Sequence, residues 1–319
     1  MEALSIKSEL YIFTFVKQYP RNHYMRKLIL ALFLFMGFFY SSVAQDKPLK
    51  IMMIGAHPDD CDIKSGGTAA LFAQMGHEVK FLSVTNGDAG HMEQGGGILA
   101  KRRAAEAQEV AKRLGITYEV LDNHDGELTP SLPIRLEIIR RIRDWEADVV
   151  ISHRSNDYHP DHRYTGILVQ DAAFMVGVPN IAADTPPLAR NPVFLYYQDH
   201  FQKPNPFQAD IVIDISEVID QKIHALDAHE SQFYEWLPWI SGYTGQIPTE
   251  QEERLAWLKE QRTGPIASQV KTVLEKWYGE SHAGNVQHVE AFELCEYGSR
   301  PSEEELRRLF PMMGSKGNF

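Results

Sequence analysis

The sequence is short of cysteine and of long apolar runs, and it has no basic stripe. Two cysteines in 319 residues, Cys61 and Cys295, exclude a small fold stapled by several disulfides. They leave room for a single bridge in an oxidising compartment. Cys61 sits inside the polar motif described below, which favours a free thiol. The longest apolar run, Leu28 to Tyr40, is shorter than the roughly 20 residues of a membrane-spanning helix. There are 32 Lys and Arg against 43 Asp and Glu, a net charge of −11. With no clustered bases, the chain repels phosphate backbones, so nucleic acid is not expected as a partner. Internal repeats and low-complexity blocks are absent. No G-x-G-x-x-G follows the first strand, which argues against a dinucleotide cradle.

What is present is an ordinary globular composition, 44% hydrophobic and 24% charged, well away from disordered chains. From Met25 the sequence runs MRKLILALFLFMGFFYSSVAQ. Arg26 and Lys27 precede an apolar stretch, and Ser42 and Ala44 supply small residues where a signal peptidase cuts. A signal peptide over about 25–44 with cleavage after Ala44 is expected, hence a secreted or periplasmic protein without a remaining membrane span. An uncleaved anchor is the alternative. Residues 1–24 lie upstream of a second start candidate, Met25, and receive no structural role. Residues 1–44 carry five bases and two acids, so their removal takes the net charge from −11 to −14.

The mature region alternates in type. A continuous apolar run, KIMMIGA from Lys50, suits a strand buried on both faces. A helix is expected over Ser65 to Met75, a strand over 77–85, and a glycine-rich loop over 86–97. Then come a helix over Leu99 to Leu114, a strand over Tyr118 to Leu121, a helix over Leu136 to Trp145 and a strand over Ala147 to Ser152. This order predicts a Rossmann-like α/β fold, a mostly parallel sheet flanked by helices. Further strands are expected at Val193 to Tyr197 and Ile211 to Ile215. Helices follow at Ile215 to His229 and near Glu252 to Gln261. The expected layout is an N-terminal extension with signal peptide (1–44), a main domain (45–248) and a C-terminal extension packed on it (249–319).

Ligands of open parallel sheets bind beyond the carboxyl ends of the strands. Two polar clusters fall there: His57-Pro58-Asp59-Asp60 after the first strand, and Asn156 to Arg163, NDYHPDHR, after the fourth. Two imidazoles and a carboxylate fit a zinc site with one position open to water. Such an ion brings the pKa of its water to about 7, and Asp59 and Asp161 are the neighbouring carboxylates able to take the proton. Either cluster alone reads equally as a turn with Pro at a first helical position and Asp as cap. Only their occurrence at matching edges of one sheet points to a shared ion.

AHPDD, a following glycine pair, the T-x-G-D-x-G loop at Thr85 to Gly90, the R-x-x-E-A helix at Arg103 to Ala107 and the late HPDH at His159 to His162 resemble the PIG-L, or LmbE-like, de-N-acetylases. The matches run from about Lys50 to Arg163, with weaker echoes at His229 to Gln232 and Ala291-Phe292. The resemblance implies zinc-dependent hydrolysis of an N-acyl, foremost N-acetyl, amide on an amino sugar or glycoconjugate, by metal-activated water. It implies His57, Asp60 and His162 as ligands of one zinc ion, with other divalent metals as substitutes, and Asp59 as general base. It implies a charged His159 that polarises the carbonyl and Asp161 that orients a histidine. Arg103 would face the substrate, and Asp88 would bound the sugar pocket.

Alternatives stay open. Arg103 reads equally as pairing with Glu106 on a helix surface, and Asp88 equally as a turn residue. Asp125-Gly126 reads as a turn, and His153 and His229 as packing. Trp236, Trp239 and Tyr243 fit either a sugar-stacking lip or core and subunit contacts of a homo-oligomer. Many relatives place Glu after the aspartate pair, where this chain has Cys61 and then Asp62. A non-catalytic, metal-stabilised carbohydrate-binding protein of the same fold is the competing reading.

Overall fold

The structure is a computed structural model, and it describes residues 47–313. The expected signal peptide lies outside the described residues. No helix among them is long and apolar enough to cross a membrane.

Seven strands form one sheet in the order β3-β2-β1-β4-β5-β7-β6. They are β1 (Lys50–Gly55), β2 (Glu78–Thr85), β3 (Thr117–Asn123), β4 (Val149–Ser152), β5 (Val193–Tyr197), β6 (Ile211–Asp214) and β7 (Val289–Leu294). The first five in that order's chain numbering run parallel. β7 pairs antiparallel with both β5 and β6. The expected α/β fold with a mostly parallel sheet is the one observed.

Helices cover both faces. α1 (Asp60–Gln74), α2 (Gly96–Leu114) and α5 (Ile219–Asp227) lie over one; α3 (Leu132–Trp145) and α4 (Pro160–Met175) lie over the other. Period-two alternation in β1 supplies both cores at once: Ile51 and Met53 face the first layer, Met52 and Ile54 the second. That is why the strand reads as an unbroken apolar run. Cys61 lies in the first layer and Cys295 in the second, so both thiols are free and buried. α6 (Gln251–Arg262) and α7 (Ser268–Tyr278) follow on the C-terminal side.

α1 starts five residues before the expected Ser65. Its first turn and its body are separated at Ser65, whose φ of −150° and ψ of 15° are not helical. The break frees amide groups that a continuous helix would bond internally. Glu290 of β7 receives them, accepting from Gly67 N (2.9 Å), Thr68 N (2.7 Å) and Thr68 Oγ1 (2.6 Å). Lys222 neutralises the carboxylate at 2.7 Å. The last long strand thereby anchors the helix that carries the aspartate pair.

β1 and β4 are direct neighbours, with Ile54 opposite Ser152. From β1 the chain order runs outward to β2 and β3 on one side and to β4 and β5 on the other. The crevice beyond such a reversal is where open α/β sheets hold ligands.

Candidate functional site

At the end of β1, Gly55 makes room for a sharp turn. A Cβ there would stand 2.7 Å from Asp60 Cβ. His57 O accepts from Asp59 N at 2.9 Å, and Asp60 Oδ2 accepts from His57 N at 2.8 Å. At the end of β4, His159 caps α4, its Nδ1 accepting from Asp161 N at 3.2 Å. Pro160 occupies the first helical position, where its missing N–H costs nothing.

The two turns meet. His57 Nδ1 stands 3.2 Å from His162 Nε2. Asp60 joins them, Oδ2 at 3.5 Å from His57 Nδ1 and Oδ1 at 3.3 Å from His162 Nε2. Donors 2.0–2.1 Å from a tetrahedral ion lie about 3.4 Å from each other, and the separations are of that size, with Asp60 meeting His57 through Oδ2 and His162 through Oδ1.

The far side of each ring fixes which nitrogen is free. His162 Nδ1 is 3.0 Å from Asp157 Oδ1. His57 Nε2 is 3.0 Å from Asp125 Oδ1 and 3.3 Å from Asp161 Oδ2, although its N–H is squarely aligned on neither. Each carboxylate draws the ring proton to its own side, leaving lone pairs that converge with Asp60. Burial pushes the His57 pKa down, yet Asp125, Asp161 and Asp60 carry it well above its ordinary value. A cluster that attracts positive charge this strongly suits a cation. The residues present therefore fit a divalent ion. Among the described residues, the groups of three whose ligand atoms all lie within 4.8 Å of one another are His57 with His159 and His162, Asp60 with His153 and His162, and His57 with Asp125 and Asp161. All belong to this one cluster.

Asp59 lies beside the cluster. Burial raises its pKa, Arg103 opposes that and Asp60 adds to it. For Asp60, burial raises the pKa but His162 and His153 draw it well below the ordinary carboxylate range. The environment thus separates two adjacent aspartates, one readily protonated and one held as an anion.

Arg103 is 2% exposed. Its guanidinium is 3.3 Å from Asp59 and donates to Pro58 O at 3.1 Å and Gly87 O at 3.2 Å. Gly87 adopts φ +69°, and a Cβ on it would lie 2.5 Å from Arg103 Nη1. The surface-pair alternative for Arg103 does not hold; Glu106 meets Arg102 at 3.4 Å instead and accepts from Ser231 N and Oγ.

Two sequence expectations, for Asp88 and His159, are placed differently, while Asp161 sits beside a histidine as expected. Asp88 does not line the cleft, because its carboxylate is taken up by His124 Nδ1 (2.7 Å) and Asp125 N (3.0 Å). A charged His159 meets an environment that lowers its pKa, burial first and then the charges of His57 and His162. With Nδ1 accepting an amide proton, its neutral ring carries the hydrogen on Nε2. Asp161 lies fully buried against His57, with Oδ2 also accepting from Gly126 N at 2.7 Å.

Asp125 and Asp157 were not singled out by the sequence. Asp125 follows β3 and looks like any Asp-Gly turn, and Asp157 stands five residues before the histidine it orients. His153 stacks on His162, ring centroids 4.4 Å apart, with its pKa pushed down to about 4 by burial and then His162. Asp62 turns away from the cluster to Tyr118 OH (3.0 Å) and the buried His229 (3.3 Å).

The cluster opens into a cleft of about 710 Å³. One wall is a π-helical segment, Ser231–Trp236, a geometry that often marks functional sites. It contributes Gln232 and Trp236, while Tyr158 and Phe201 contribute elsewhere along the lining. Trp236 stacks on Trp239 at 5.5 Å, whereas Tyr243 packs against Trp257. The aromatic lip is thus Trp236 backed by Trp239.

The cluster lies at the reversal point of the α/β sheet of a hydrolase acting on amides, the class to which its named deacetylase and amidase relatives belong. The chain belongs to the PIG-L, or LmbE-like, de-N-acetylase family. The family's sequence profile, described as GlcNAc-PI de-N-acetylase, matches residues 52–173. The diacetylchitobiose deacetylase of Thermococcus kodakarensis is 36% identical over 207 residues, 60% of this chain and 74% of that one. A 4-oxalmesaconate hydratase of Pseudomonas putida is 23% identical over 193 residues, 58% of this chain and 74% of that one. In fold, the N,N'-diacetylchitobiose deacetylase of Pyrococcus horikoshii superimposes with a TM-score of 0.59 at 23% identity, covering 87% of this chain and 95% of that one.

Proposed function

We propose that the protein hydrolyses an N-acetyl amide on an amino sugar or glycoconjugate, using one divalent ion, zinc foremost, held by His57, Asp60 and His162. The observation carrying this reading is the convergence of two imidazole nitrogens, 3.2 Å apart, on the two oxygens of one carboxylate at 3.3 and 3.5 Å, directly beside a second carboxylate of raised pKa. A divalent ion there would supply a nucleophilic water at neutral pH and polarise the amide carbonyl.

The chain's own groups do the rest. Asp59, aimed by Arg103, takes a proton from the attacking water and returns it to the departing nitrogen. Its raised pKa brings it closer to the working pH, as a general base requires. His159 donates from Nε2 to the carbonyl oxygen as negative charge develops there, a contribution on the order of 3 kcal/mol for a well-placed donor. Asp157 and Asp125 hold the two ring tautomers. Trp236 offers a flat face for a sugar ring. Export by residues 25–44 is part of the proposal, and it would bring the enzyme to extracytoplasmic glycans.

The test is acetate release across N-acetylated mono- and oligosaccharides, with and without a chelator, alongside metal analysis of the purified protein. Chelator-sensitive release is expected. A metal-loaded protein inert on the whole panel would favour the carbohydrate-binding reading.

A further inference from the structure

Arg262 closes α6, and its side chain lines the same cleft as the histidine cluster. Its Nε is buried and has no hydrogen-bond acceptor. The guanidinium lies over the Phe233 ring, 4.6 Å from the centroid, and no carboxylate among the described residues comes within ion-pair distance. Burial lowers its pKa, while Tyr243 and Asp59 act in the opposite direction.

Arg262 is half-buried, and the fully buried arginines are treated differently. Arg143 donates to six backbone carbonyls, among them Val176 O and Ile181 O. Arg103 has the partners given above. Arg154 is paired with Asp199 and Glu293. Arginine stays charged in proteins, so it cannot escape burial by losing its proton. A half-buried guanidinium without an anion is only partly compensated by stacking on one aromatic face. A cleft-lining guanidinium in this state is primed for an anion that arrives with the ligand.

The charge along the cleft supports this. Its buried floor is acidic, with Asp59, Asp60 and Asp125. Basic groups stand on the more accessible lining: Lys64, whose Nζ donates to Gln198 O at 3.0 Å, the exposed His200, and Arg262. On the floor the carboxylates already have Arg103 and the histidine cluster as partners, whereas Arg262 on the lining has no carboxylate partner among the described residues, so it is the lining that offers an anion a free cation.

We propose that Arg262 receives an anionic group, a carboxylate or a phosphate, carried by the amino sugar or by the moiety attached to it. The substrate class is then an acidic amino-sugar derivative. This rests on the de-N-acylation reading of the cleft and narrows it. The guanidinium fork matches both oxyanions, through two parallel N–H donors.

Calorimetric titration of the full-length protein as purified tests the assignment with amines that cannot be hydrolysed: glucosamine, glucosamine 6-phosphate and muramic acid. The phosphate and carboxylate arms separate the two anions. At least one should bind tenfold or more tighter than glucosamine. That ratio should collapse toward one in Arg262→Gln and survive in part in Arg262→Lys, which keeps a charge without the fork. Equal binding of all three amines by the wild type would overturn the proposal. So would an unchanged ratio in a folded Arg262→Gln protein. Should Arg262→Gln not fold, the wild-type ratios and Arg262→Lys decide. Acetate release from the N-acetylated counterparts is scored separately. A charge preference that depends on Arg262, without any release, supports the anion site and counts against the hydrolase reading alone.

Discussion

The Asp59 carboxylate and the Arg103 guanidinium stand 3.3 Å apart, both almost wholly withdrawn from water. The arginine reaches across from α2 and also ties down Pro58 O, so it fixes the turn as well as the charge. We predict that Asp59→Asn keeps its metal yet loses 100-fold or more in kcat, the usual scale for removing a general base. Acetate release with parallel metal analysis reads both quantities, and substantial residual turnover would defeat the base assignment.

Arg103→Gln should lower kcat more than it raises KM, because the residue aims Asp59 rather than a remote part of the substrate. Gly87→Ala should mimic it in weaker form, since the added methyl would collide with the guanidinium. If KM alone moved, Arg103 would be a substrate contact instead.

For the cation, His162→Ala should empty the site. Asp157→Asn should weaken metal affinity by 10–100-fold, the range for removing a partner that orients a metal-binding histidine. Competition against a chromophoric chelator measures this. Full occupancy in His162→Ala would contradict the ligand set.

His124 offers a pH-dependent signal away from the cluster. Its hydrogen bond to Asp88 raises its pKa above the ordinary value. A raised value in the folded protein means that the pair's stabilisation is complete below about pH 6.5. It is lost as pH climbs through the folded-state value. Asp88→Asn should return His124 to about 6.5, as followed by NMR titration of its ring protons. An unmoved titration would show that Asp88 is not the cause.

Glu290 and Lys222 form a buried pair at 2.7 Å. Glu290→Ala should destabilise by about 3–5 kcal/mol, because it strands a buried ammonium and orphans the amides of Gly67 and Thr68. Urea unfolding gives the number, and a loss below about 1 kcal/mol would deny the pair that role.

Much of this molecule is legible in the amino-acid sequence, for reasons that differ by region. β1 and β4 are continuous apolar runs between polar punctuation, as a doubly covered strand requires. His57 and His162 are recognisable because turn chemistry and proline spacing repeat at the ends of neighbouring strands. β7 is not legible, since VEAFEL alternates charge with apolar residues and Glu290 gives no hint that it ends inside the protein. The early start of α1 is hidden for the same reason: the glycines and Ser65 suppress a helical pattern whose break is stabilised from a distant strand. Asp125 looks like a turn residue because it is one; its second task, facing His57, depends on β3 lying two strands away. Arg262 was invisible as a cleft residue because α6 has charges on most of its surface.

The placement of β7 has a consequence for how the chain reaches its final state. β6 touches the sheet only through β7, and β7 joins β5 across roughly a hundred intervening residues, a long loop to close. Until that ribbon locks in, Glu290 is absent from the break in α1, and the helix that carries the aspartate pair lacks its anchor at Gly67 and Thr68. The support of the reactive corner therefore comes in part from the far end of the chain, and a C-terminally clipped chain should hold the aspartate pair less firmly even with every cleft-lining residue up to Ser241 already made.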